Sequence, residues 1–95
     1  MIFQERIFIS QSTNKFVIMQ IEDFIKSFAE QFEDTDPSEI KAGTKFHDLE
    51  EWSSMIVLAV IAMVNINYDV TLTGQDIKET ETVEELFNMV KSRQG

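Results

Sequence analysis

The sequence predicts an all-α fold: a small bundle of three main helices and one short one, with a long loop between the first and second. Three observations predict it. Ile21, Phe24, Ile25, Phe28 and Phe32 recur at i, i+3, i+4, i+7 spacing, the mark of a one-faced helix. Met55 to Val64 are ten consecutive apolar residues without a turn former, enough for about three helical turns. Thr82-Val83-Glu84-Glu85 then opens a second amphipathic stripe, Val83, Leu86, Phe87 and Val90, with the pattern of a capping box.

The elements follow in chain order. Residues 1–18 hold scattered apolar pairs with no sustained period, and are expected to be a mostly flexible extension. Met19 is a candidate start codon, which leaves 19–95 as the domain. Val17 and Ile18 continue the apolar phase of the first helix. That helix is expected from about Met19 to Phe32, with Glu22 and Asp23 at the positive end of its dipole. Pro37 disfavours a helical Asp36, so Asp36-Pro37-Ser38-Glu39-Ile40 reads as a turn with Ile40 inward. The loop continues with Phe46 and Leu49 as anchors. Ser53 is placed to cap a second helix from Ser54 to about Asn67. Tyr68-Asp69-Val70-Thr71-Leu72 alternates too briefly to build a sheet and reads as a linker with Tyr68, Val70 and Leu72 inward. Thr73 caps the short third helix, with Asp76 as its weak capping-box partner and Ile77 as its anchor. Lys91 and Arg93 suit the end of the fourth. The common core is expected to gather Leu58, Ile61 and Val64 or Ala62 between the two stripes. Counting outward positions from Ser54 suggests Ile56, Ala59, Met63 and Ile66 as an exposed apolar face. Such a face serves partner docking, self-association through this helix, or cover by the N-terminal segment.

Composition narrows the function. The chain has 95 residues and no cysteine, so it is one small domain without disulfide or thiolate chemistry. His47 is the only histidine, which argues against a zinc site. Acidic residues outnumber basic ones 17 to 8, a net charge of −9. Nucleic acid would be repelled and a basic protein surface attracted. The ten-residue run is too short for a membrane span. Glu5 and the brevity of Ile7-Phe8-Ile9 argue against a signal peptide, so a cytoplasmic location is expected. No Ser/His/Asp set, metal cluster or Gly-rich phosphate loop suggests an enzyme.

The residues around the second helix carry a resemblance. Asp48-Leu49-Glu50-Glu51-Trp52-Ser53-Ser54-Met55 resembles the Asp-Leu-x-x-Trp-Asp-Ser-Leu of some acyl carrier proteins, in which the Ser bears 4'-phosphopantetheine. The Ile40 turn, Phe46 before Asp-Leu, Tyr68 after the second helix and Thr82-Val83 follow the family's order over about residues 19–92. The resemblance implies that Ser54 is the attachment point, modified by a phosphopantetheinyl transferase using coenzyme A. It implies partners that transfer or activate acyl groups in fatty-acid, lipid or polyketide-type biosynthesis. The acyl chain is then expected to shelter among residues such as Leu58, Ile61, Tyr68 and Ile77. Glu50 and Glu51 would meet basic residues on those partners, and Trp52 would pack. Three departures stand out: Ser53 replaces the family's Asp, Met55 its Leu, and the outward positions of the second helix, usually acidic in the family, read Ile56, Ala59, Met63 and Ile66 here. The alternative is a carrier-fold protein that is never modified and serves as a binding or structural subunit.

Overall fold

The computed structural model describes residues 20–94. Expectations for residues 1–18, for Met19 and for cover of the second helix by the N-terminal segment lie outside them. The described residues form four helices: α1 Ile21–Ala29, α2 Ser54–Tyr68, α3 Gly74–Lys78 and α4 Val83–Gln94. Two single-turn 3-10 segments, Pro37–Glu39 and Phe46–Asp48, punctuate the loop between α1 and α2. No strand occurs among the described residues. An isolated antiparallel bridge joins Lys45 to Thr82.

Both predicted stripes face one core. Phe24, Phe28, Phe32, Val83, Leu86, Phe87 and Val90 are buried, and Ile21 and Ile25 pack at its margin. Aromatic rings fill the centre. Phe24 lies 5.6 Å from Phe87, and Phe28 lies 5.6 Å from Phe46. Ile40, Val70, Leu72 and Ile77 close it from the loops and α3, as their patterns predict. Helix α1 ends at Ala29, three residues earlier than its stripe suggests. The Gln31 and Phe32 amides then bond to the carbonyls of Phe28 and Ala29, both at 3.1 Å. This tighter i→i−3 pattern ends the helix and still delivers Phe32 to the core. Tyr68 is the last residue of α2 and not part of the linker. The chain turns there at Asp69, which adopts a left-handed conformation at φ 56°.

The start signal of α3 holds in detail, and that of α4 holds at Thr82. Thr73 and Asp76 form a reciprocal capping box: the Asp76 amide donates to Thr73 Oγ1 at 3.1 Å, and the Thr73 amide donates to Asp76 Oδ2 at 2.9 Å. At α4, Thr82 Oγ1 accepts from the Glu85 amide at 3.2 Å. Glu85 reaches one residue further back than the motif implies, accepting from the Glu81 amide at 2.9 Å. The Val83 and Glu84 amides donate to the Thr44 and Ala42 carbonyls of the long loop. Free N–H groups at the start of α4 therefore hold the loop in place.

The phase of α2 corrects the sequence reading. Ile56 and Met63, expected outward, are buried at 8% and 6% exposure, and Val60 and Val64 are fully enclosed. Leu58, expected in the core, is 66% exposed, and Ala62 is exposed as well. At 100° per residue, position 56 lies roughly 200° round the helix from Ser54, on its opposite face. The outward face therefore carries Met55, Leu58, Ala62 and Ile66, with Met55 and Ile66 78% and 79% exposed. With nearly every residue apolar, no polar stripe marks the solvent side, and packing against α1, α3 and α4 sets the rotation. Ile56→Ala is expected to cost ~2–3 kcal/mol and Leu58→Ala no more than ~0.5 kcal/mol. Chemical denaturation of the two variants checks this, and equal losses would contradict the phase.

Candidate functional site

Ser54 is the first residue of α2 and is exposed. Ser53 stands before it as N-cap in extended conformation. Its hydroxyl accepts from the Ile56 amide at 3.4 Å and its carbonyl from the Val57 amide at 3.0 Å. Serine thus performs the capping expected of Asp at this position, without the charge.

Ser54 lines a cleft of about 430 Å³ between the start of α2 and α3. Trp52 and Val57 line it from the α2 side, Gly74, Gln75, Ile77 and Lys78 from α3, and His47 from the loop. A larger groove of about 540 Å³ runs along α1 past Ile25, Ala29, Phe32 and Pro37, with Lys26, Thr35 and three glutamates in its walls. The cleft beside Ser54 is the one that holds the serine singled out by the sequence.

Each wall is held by interactions at a distance in sequence. Trp52 stacks on Phe28 at 6.4 Å and on Phe32 at 6.3 Å, and tilts against Phe46 at 4.8 Å. It packs, as expected, and it also walls the cleft. His47 Nε2 faces two carbonyls, of Ile77 at 3.1 Å and of Thr80 at 2.9 Å. Two acceptors require the proton on Nε2, which donates to both and ties the loop to the end of α3. Thr80, buried, returns its hydroxyl to the Ile77 carbonyl at 3.1 Å.

From the other side Arg93 grips α3. Its two terminal nitrogens donate to both oxygens of Asp76, at 2.7 Å and 2.9 Å. That forked pair, with the Thr73 amide, holds the Asp76 carboxyl far below the usual carboxylate range. A group so shifted adds stability above its unfolded pKa, about 3.9, and loses it as pH falls through the folded value. The gap in thermal midpoint between the wild type and Asp76→Asn should accordingly be widest near neutral pH and narrow below about pH 4. A gap independent of pH would contradict the pairing.

Glu50 and Glu51 part company. Glu50 is exposed. Glu51 is engaged within the chain, contrary to the expectation that it meets partner cations. Its Oε2 accepts from the Glu33 amide at 2.8 Å. Its Oε1 accepts from the Asp34 amide at 3.0 Å, the Thr35 amide at 2.9 Å and the Thr35 hydroxyl at 2.8 Å. The Glu33 amide foremost, with the Thr35 and Asp34 donors, holds this carboxyl below its ordinary range.

The expected acyl shelter is not assembled as foreseen. Leu58 points to solvent and Ile61 is half-buried. Tyr68 packs on Phe24 at 5.7 Å, near the opposite end of α2. Of that set only Ile77 lines the cleft. Val57 joins it and was legible, standing three residues after Ser54 on the same side of a helix. Gln75 and Lys78 carried no signal, because only the fold brings α3 to the mouth of α2. Among the described residues no group of three His, Cys, Asp or Glu could hold a metal ion, and no helix is long and apolar enough to cross a membrane. Comparison with protein-family models, curated proteins and solved structures found no match to this chain.

Proposed function

We propose that the chain is an acyl carrier protein, loaded with 4'-phosphopantetheine on Ser54 and acted on by partner enzymes. The observation that carries this reading is an exposed serine at the first position of α2, opening on a cleft walled in part by Trp52, Val57 and Ile77. A carrier needs this combination: a hydroxyl that a transferase can reach and a surface along which a tethered arm can lie. The spacing Asp48-Leu49-x-x-Trp52-x-Ser54 supports the same residue.

In the loading step the Ser54 oxygen attacks the pyrophosphate phosphorus of coenzyme A that bears the pantetheine. An O–P bond forms, the bond to the departing adenosine bisphosphate breaks, and the serine proton passes to a base of the transferase. Transferase-bound metal offsets the charge on the pyrophosphate. Ser54 would hold a phosphodiester at the positive end of the α2 dipole, which favours an anion. Serine at 53 leaves one fewer negative charge beside it. The net charge of −9 favours enzymes with basic docking surfaces, with association fastest at low salt.

Intact mass tests the proposal. Incubated with coenzyme A, magnesium and a broad-specificity transferase, the protein should gain one phosphopantetheine. A second reading, an unmodified subunit that binds other proteins, draws on the exposed Met55, Leu58 and Ile66 of α2. No mass gain with several transferases would favour it.

A further inference from the structure

We propose that Glu51 is a positioning residue for Ser54, a latch that pins the acidic loop to the segment after α1 and so fixes the mouth of α2. Its effect on loading rests on the carrier reading of Ser54; its effect on the backbone does not.

The geometry of the carboxylate carries the assignment. Three successive backbone N–H groups, those of Glu33, Asp34 and Thr35, converge on it together with the Thr35 hydroxyl, all within 3.0 Å. Such an array is a nest for an anion, and here the anion belongs to the chain itself. Loss of hydration disfavours the ionised carboxyl, and the convergent donors outweigh it. A solvated loop carboxylate would have no reason to sit there.

The consequence runs through the next three residues. Glu51 is pinned, Trp52 is stacked on Phe28 and Phe32, Ser53 caps α2, and Ser54 follows. No residue between Glu51 and Ser54 is glycine or otherwise slack, so a displacement of Glu51 is passed on to the cap. The donors lie 16 to 18 residues earlier in the chain, so the latch also closes the long loop at its two ends. Glutamine cannot substitute fully. Its oxygen can accept from Asp34 and Thr35, but its amide group would present hydrogens to the Glu33 N–H.

Amide hydrogen exchange tests this in the whole chain. The Ile56 and Val57 amides, which bond to Ser53, report on the first turn of α2; Val64, fully buried further along, reports on the fold. Glu51→Ala should speed exchange at Ile56 and Val57 by about tenfold or more relative to Val64, since a charged acceptor with four donors is lost. Glu51→Gln should fall between, and Thr35→Val, which removes one donor and leaves the carboxylate, should move exchange about twofold the same way. At a temperature where the far-UV spectra coincide, kcat for loading of Glu51→Ala should drop about tenfold, with partial recovery in Glu51→Gln. Unchanged exchange at Ile56 and Val57, or an equal rise at Val64, would overturn the latch. If exchange responds as described while the wild type is never loaded, the latch stands and the carrier reading fails.

Discussion

Phe28→Ala is expected to lower stability by ~3–5 kcal/mol. The ring is fully enclosed and touches four other aromatic groups: Phe32 at 5.5 Å, Phe46 at 5.6 Å, Phe24 at 6.3 Å and Trp52 at 6.4 Å. It is the point where α1, the long loop and the approach to α2 meet. Tilted pairs at these separations add to the burial of the ring itself. A domain of this size is worth about 5–14 kcal/mol in total, so the variant should retain only a fraction of that. The thermal midpoint should fall by roughly 15–30 °C. The loss should not stop at α1. Trp52 leans on the same ring, so its fluorescence should shift to the red in the native state of the variant. A drop under about 5 °C would mean that the four rings do not depend on the fifth.

The helical architecture was legible because its signals are local. Thr73 and Asp76, Thr82 and Glu85, and each step of the Phe24–Phe28–Phe32 stripe lie about one turn apart in the chain, where spacing alone states which groups can meet. The phase of α2 was not, because its ten apolar residues present no polar reference, and Ile56 and Leu58 differ only in what packs beside them. Ser54 is marked only by the resemblance of Asp48-Leu49-x-x-Trp52-x-Ser54 to a carrier motif, and it stands exposed at the first position of α2. The surroundings were harder. Glu51 looks like any surface acid in sequence, and three of its four donors are backbone amides whose direction no residue type encodes. His47 likewise binds carbonyls of Ile77 and Thr80, thirty or more positions away. Backbone acceptors and donors are the same at every residue, so contacts to them leave no mark in composition.

Ser54→Ala is expected to abolish phosphopantetheine loading altogether, while the far-UV spectrum and thermal midpoint stay close to the wild type. The hydroxyl is the only atom lost, and the residue is exposed at the first turn, where alanine is well tolerated. Ser53→Ala should behave in the opposite way. It keeps the attachment oxygen but removes the acceptor of the Ile56 amide, and should cost ~1 kcal/mol of stability with loading retained. On the carrier reading, Ser53→Asp should load faster than the wild type, because it places beside the serine the carboxylate of the motif that the sequence resembles, and should cap at least as well. Its charge also favours the positive end of the α2 dipole. The three variants separate the roles of adjacent hydroxyls, one chemical and one structural. Mass spectrometry over a time course, beside thermal melts of the same samples, reads both. Loading that survives Ser54→Ala and disappears in Ser53→Ala would move the attachment to Ser53. Wild type and Ser53→Asp both remaining unloaded would remove the carrier reading and leave the exposed face of α2 as the functional surface.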